Sequence, residues 1–130
     1  MIKYLQRQLV CFVAKSQLGL GDATKYWNGI VAKPYPASWC GAFCLWCYHR
    51  VGVARGVNWL VGTGFLYRYP TTTNPQKGDV AYFLKYQHEA MVVGVSGEDI
   101  SLINGNGNGA VVTRGTVKKS AVTAFYNVIG

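Results

Sequence analysis

The chain has 130 residues, half of them apolar, with nine Tyr, five Phe and four Trp. That length gives one domain with a real core, and the composition excludes a disordered chain. Thirteen Lys and Arg outweigh five Asp and Glu, for a net charge of +8. Such a surface suits a polyanionic partner (nucleic acid, anionic lipid, or a bacterial wall carrying carboxylates and phosphates), unless the charge only keeps the protein in solution.

Ile2, Leu5, Leu9, Phe12 and Val13 recur at helical spacing, and Gly19 follows as a C′ residue, so a first helix is expected over 3–18. Asp22 suits the cap of a short second helix that stops at Gly29. A loop over 33–37 holds Pro34 and Pro36. Ser38 is then a fitting N-cap for a third helix over 39–51, which Gly52 ends. Residues 53–78 carry Gly, Asn and Thr between apolar patches and predict one or two short helical turns, then loop.

After Gly78 the character changes. Val80–Leu84, His88–Val95, Asp99–Asn104, Ala110–Arg114 and Val122–Val128 are short and rich in Val, Ile, Phe and Tyr. Turn residues divide them, notably Ser96-Gly97-Glu98 and the Gly/Asn run 104–109. Helices first and strands after predict an α+β fold, its N-terminal helices packed on an antiparallel sheet of about five strands. No repeat, linker or second domain interrupts 1–130.

Lys3 and Arg7 are followed by an apolar stretch of only Leu9 to Ala14, and then Lys15, which does not make a signal peptide. No run approaches the length of a membrane span. Synthesis in the cytoplasm is expected, with release or injection needed to reach any target outside it. Cys40, Cys44 and Cys47 fall within eight residues on one helix face, where side chains point outward in parallel and are badly placed to bridge. With Cys11 they are expected to be reduced.

The chemistry gathers at Cys40, in Ser38-Trp39-Cys40-Gly41-Ala42-Phe43-Cys44-Leu45-Trp46-Cys47-Tyr48-His49. A thiol is a poor nucleophile until ionised. The first turn of a helix offers unpaired N–H groups and a partial positive charge, both of which favour thiolate. A nearby imidazole lowers the thiol pKa further by holding the proton. Gly41 leaves room beside the sulfur, and the Cys40 N–H can face an oxyanion. Cys44 and Cys47 continue along a face that stays apolar to Val51, so they read as core, with Cys40 alone at the open end.

The imidazole must be that of His88. The other histidine, His49, lies nine residues along the same helix on roughly the opposite azimuth. A catalytic imidazole needs its second nitrogen held. Asn104 and Asn106 are candidates on the next strand. A two-residue turn at Gly97-Glu98 pairs 96 with 99 and sends His88 and Asn104 to opposite faces. They share a face only with a three-residue turn or a bulge in the hairpin.

These segments resemble, in order, the motifs of the cysteine, histidine-dependent amidohydrolase/peptidase (CHAP) family. Trp39-Cys40-Gly41-Ala42-Phe43 is similar to its W-C-A-A-F signature, and Lys77-Gly78-Asp79-Val80-Ala81-Tyr82-Phe83 to its P-G-D-hydrophobic-F strand. His88-Glu89-Ala90-Met91-Val92-Val93-Gly94-Val95 resembles H-V-G-I-V-V-G-V, and Ile103-Asn104-Gly105-Asn106 resembles I-E-G-N. Ala14-Lys15-Ser16-Gln17-Leu18-Gly19 is similar to the opening helix of many members. The resemblance implies a papain-like fold and hydrolysis of amide bonds in peptidoglycan. It makes Cys40 the nucleophile, His88 the general base and Asn104 the orienting residue, with Asn106 beside the site and no metal or cofactor. Trp39, Trp59, Tyr67 and Tyr69 are expected to be exposed and suited to a glycopeptide groove. Two departures stand out. Asn replaces the commoner Glu at 104, and Glu89 stands where an apolar residue is usual, a position to which the resemblance assigns no role.

The expected protein is a monomeric peptidoglycan hydrolase, a phage endolysin or, alternatively, an injected antibacterial amidase. Two rivals come from other classes. Cys40, Cys44 and Cys47 spell C-x-x-x-C-x-x-C, similar to the cluster loop of radical enzymes that use S-adenosylmethionine, but the segment reads as a helix in a short chain. A non-catalytic basic module for wall polymer or nucleic acid would use the +8 charge, but the basic residues are scattered and form no nucleic-acid motif, so no nucleic-acid partner is expected.

Overall fold

A computed structural model of the chain describes residues 2–21, 25–26, 39–57, 64–105 and 111–130. Two N-terminal helices, α1 (Ile2–Ser16) and α2 (Cys40–Arg50), pack on a six-stranded antiparallel sheet. The strands are β1 (Thr71–Thr72), β2 (Val80–Phe83), β3 (His88–Ser96), β4 (Asp99–Asn104), β5 (Thr113–Lys118) and β6 (Ala124–Tyr126), in the spatial order β1-β6-β2-β3-β4-β5. β3 is thus central, with α2 resting on it. A 3₁₀ turn at Gly64–Arg68 supplies the short helical element expected before the sheet. The proposed Asp22–Gly29 helix, the 33–37 loop, the Ser38 cap and Trp59 fall wholly or mostly outside the described residues.

Alternation along the strands divides the core. Val80, Tyr82, Met91, Val93, Ile103 and Tyr126 face the helices, against Phe43, Cys44 and Cys47. Ala81, Phe83, Ala90, Val92, Ile100, Leu102 and Phe125 make a smaller apolar layer on the opposite parity. The fifth strand begins three residues later than the sequence suggests and is half-exposed, with Thr113, Gly115 and Val117 alternating with Arg114, Thr116 and Lys118. Its apolar signal is correspondingly thin.

The first helix forms where expected but buries a different face. Most of the apolar stripe that marks it in the sequence is on the outside: Ile2, Leu5, Leu9 and Phe12 are 72%, 55%, 43% and 71% exposed, and Val13 alone packs partly against the core. The buried face is Arg7, Val10, Cys11 and Ala14. It combines small core residues with one charged side chain, Arg7, which enters a buried ion pair. The Arg7 guanidinium donates to Asp79 Oδ1 at 2.8 Å, to the Lys77 carbonyl at 2.8 Å, to Asn127 Oδ1 at 2.8 Å and to the Gly130 carbonyl at 3.2 Å. One side chain therefore ties α1 to the entry of β2 and to the C-terminus. Read from sequence, Arg7 is one of the scattered basic residues; folded, it is an interior anchor whose donors are satisfied.

Gly78 has to be glycine for this anchor to close. Its φ is +90°, and a Cβ there would meet Ile129, Val10 and Arg7 at 3.1–3.3 Å. Its carbonyl accepts the Tyr48 hydroxyl from α2. The Gly-Asp step before β2 thus holds both helices to the sheet. Replacing Arg7 by Met leaves the Asp79 carboxylate buried without its cation. We expect a loss of about 3–5 kcal/mol in unfolding free energy, read as a lower urea midpoint. A variant as stable as the parent would contradict this role.

Candidate active site

β3 and β4 are joined by a two-residue turn, with Ser96 opposite Asp99. Continued without interruption, that register puts His88 and Asn104 on opposite faces. The hairpin contains a bulge instead. Gly94 pairs with Ser101, but Val92 pairs with Leu102, leaving Val93 as the extra residue. Below the bulge the parity flips, and His88 and Asn104 come to one face. The flip lies at Val93-Gly94 and not at Gly97, which serves the turn with φ +60°.

His88 Nε2 lies 2.8 Å from Asn104 Oδ1. An amide oxygen only accepts, so the bond places the neutral ring's proton on Nε2 and leaves Nδ1 as the basic nitrogen. Phe83, the cross-strand partner of His88, holds its ring 6.0 Å from the imidazole. The pair opens on a cleft of about 230 Å³ lined by Phe83, Tyr86, Leu102 and Val117. This cleft lies on the parity of Ala90 and Val92, away from the helix-facing layer.

Cys40 is the first residue of α2. Trp39 stands at the N-cap with no side-chain capping bond, and the Phe43 N–H donates to the Trp39 carbonyl at 2.9 Å. The amides of Cys40, Gly41 and Ala42 precede that first helical bond, where the helix end favours negative charge. The first turn of α2 rests on the end of β4: a Cβ on Gly105 would lie 2.4 Å from Cβ of Phe43. The helix start thus lies over the end of β4 on the helix side of the sheet, while the His88–Asn104 pair lies on the opposite parity: the structure brings His88 to Asn104 and sets Cys40 toward the other face.

Cys40 does not occupy an open position. It is 3% exposed, leaving a sliver of the residue at the surface. Trp39 is also buried, its ring stacked on Tyr26 at 5.1 Å, so it offers no exposed groove wall. Tyr67 is exposed and Tyr69 only in part, and Asn106 lies outside the described residues. His49 turns away, with Nε2 3.0 Å from the Ala54 carbonyl. None of the four cysteines is in a disulfide. Burial pushes the Cys44 and Cys47 thiols well above the ordinary range, and Cys11 up as well, which suits packing groups. Among the described residues no group of three or more His, Cys, Asp and Glu is placed to hold a metal.

Glu89 is the site's unforeseen member. It is opposite Tyr82 in the β2–β3 register and shares the helix-facing parity of Met91 and Val93. It is 0% exposed, and neither carboxyl oxygen has a hydrogen-bond partner among the described residues. Burial pushes its pKa well above the carboxylate range, and the proximity of Cys40 adds to the rise. The strand residue coupled to Cys40 from this side is thus Glu89, next in sequence to His88. The signal was present: an acid stands where β3 alternation calls for an apolar side chain.

No protein-family model matches the chain, and no match is found among curated proteins. The site stands on its own geometry.

A carboxyl kept protonated by folding retains a proton that the unfolded chain gives up above the ordinary glutamate pKa of ~4.3. The stability it carries is complete below that range and declines as pH rises toward the raised folded value. Glu89→Gln removes this dependence. We expect the melting temperature of the variant to gain on that of the parent as pH rises above ~4. Parallel curves would show that Glu89 is not held protonated.

Proposed function

We propose that the protein is a thiol hydrolase that cleaves an amide bond in peptidoglycan through Cys40, His88 and Asn104. The observation that carries this reading is the 2.8 Å bond between His88 and Asn104, with Cys40 as the first residue of the helix packed on the same sheet. The ordered resemblance of five segments to the CHAP family supports the substrate class and a papain-like fold. The net charge of +8 suits an anionic sacculus. A phage endolysin is the setting that fits these features together.

In this reaction the Cys40 thiol gives its proton to Nδ1 of His88, and the thiolate attacks the amide carbonyl. The tetrahedral oxyanion lies against the amides at the start of α2. The imidazolium then protonates the leaving amine as the C–N bond breaks, giving a thioester on Cys40. Water, deprotonated by His88, attacks the thioester and releases the carboxylate. Asn104 keeps the ring in one tautomer throughout. Being neutral, it stabilises the imidazolium less than a carboxylate would. The chemistry needs the sulfur and Nδ1 to meet around the first residue of β3, and needs Cys40 to be uncovered to the substrate carbonyl.

Purified sacculi incubated with the protein should release soluble fragments bearing new carboxyl and amino termini, read by mass spectrometry. Cys40→Ala and His88→Ala should each lower that release by at least ~10³-fold while the circular dichroism stays unchanged. Cys47→Ala, altering a packing thiol, should retain turnover wherever it remains folded. Release by Cys40→Ala at the parent rate would end the thiol mechanism.

A further inference from the structure

α1 is apolar on the side that the fold leaves uncovered. The buried Arg7, Val10, Cys11 and Ala14 define one face of the helix, and Ile2, Leu5, Leu9 and Phe12 form a row directly opposite. Tyr4, exposed as well, borders the row. Five of the ten exposed large apolar side chains among the described residues thus stand on this one helix. Scattered apolar side chains are ordinary on a surface, but a contiguous row marks a place of contact. The buried anchor is what presents it. Arg7 fixes the rotation of α1 through Asp79, and the row cannot roll inward without breaking that pair.

The described charges around the row are of one sign. From Ile2 to Gly21 the chain has Lys3, Arg7 and Lys15 and no acid. Lys3 and Lys15 are exposed, one toward each end of the helix. Lys77 is exposed too, and its carbonyl is held by Arg7 at 2.8 Å. The described acids are elsewhere. Asp79 and Glu89 are buried, and Glu98 and Asp99 stand at the β3–β4 turn, where Lys118 donates to Asp99 at 2.6 Å. Asp22 falls outside the described residues.

We propose that the outer face of α1 is a docking surface for an anionic phospholipid bilayer, with the helix lying in the plane of the interface. Ile2, Leu5, Leu9 and Phe12 enter the acyl boundary, and Tyr4 lies at headgroup level. Lys3 and Lys15 meet the lipid phosphates, and Lys77 adds to the local positive potential. The helix docks and does not cross: it has 15 residues, and no helix among the described residues is long and apolar enough to span a membrane. A second copy fits the row less well. A stable dimer covers about 20 residues or more on each partner, whereas this row with Tyr4 has five. Pairing would also bring together two chains of charge +8. A bilayer needs no matching shape, accepts a shallow row of large side chains, and gains from each cation near its surface. None of Cys40, His88 and Asn104 is on α1, so this surface goes beyond the hydrolase reading and does not rest on it.

The test is co-sedimentation of the intact chain with vesicles of phosphatidylcholine, alone or mixed in equal parts with phosphatidylglycerol. Partition onto the mixed vesicles should be at least ~10-fold stronger than onto phosphatidylcholine alone, and should weaken as salt rises. Leu5→Gln combined with Phe12→Gln should lower partition onto the mixed vesicles at least ~10-fold. The melting temperature should not change, since both side chains are exposed. Should that pair cost stability, Phe12→Ser alone serves, with a loss of at least ~3-fold. Lys3→Gln combined with Lys15→Gln should lower partition by about tenfold on the mixed vesicles and leave phosphatidylcholine unaffected. Equal partition by the parent and the Leu5/Phe12 variant would overturn the proposal, because charge alone would then account for the binding. Absence of binding to either vesicle would overturn it too. Self-association that the same two substitutions abolish, in a chain that ignores vesicles, would give the row to a second copy and end the bilayer assignment.

Discussion

The site depends on one surplus residue in a hairpin. Without Val93 bulged out of the β3–β4 ladder, the two-residue turn would send His88 and Asn104 to opposite sides of the sheet. With it, the strand keeps Met91 and Val93 in the helix-facing core and still turns His88 toward Asn104. A bulge breaks the ladder locally, and here its neighbours are well packed: Val92 and Leu102 are buried on one face of the sheet, Met91 and Ile103 on the other.

The second constraint is how the fold treats buried polarity. Arg7 and Asp79 satisfy each other, and together they fasten the first helix, the entry to β2 and the C-terminus. That anchor turns the Arg7, Val10, Cys11 and Ala14 face of α1 inward and leaves Ile2, Leu5, Leu9 and Phe12 outside. Glu89 receives nothing of the kind. The contrast separates the two acids: one is paired with a cation, and the other is buried with no hydrogen-bond partner among the described residues.

Much of this was legible in the residues. The order of helices and strands followed from period and turn chemistry, and the start of β3 and both ends of β4 fell where the apolar runs and Gly/Asn turns placed them. The His88–Asn104 pairing was readable only as a condition, because a bulge is a tertiary choice with no fixed local signature. The buried side of α1 was not readable, since hydrophobicity marked the wrong face and the anchor that decides it is 72 residues away at Asp79. Burial of Cys40 and Trp39 depends on Tyr26 and on packing across the helix start, contacts that no spacing in the chain records. β5 was displaced because its exposed half carries Arg114, Thr116 and Lys118 in place of a continuous apolar run.

The central claim is that the sulfur of Cys40 and the imidazole of His88 work on the same atom. A bifunctional alkylator tests it most directly. 1,3-Dibromoacetone, added to the folded chain in equimolar amount, attaches first to the more reactive thiol and then to a basic nitrogen within reach. The account predicts one dominant product in which peptides containing Cys40 and His88 are joined, absent from His88→Ala. Attachment at Cys40 that never bridges to His88, in a chain that still cleaves sacculi, would contradict it.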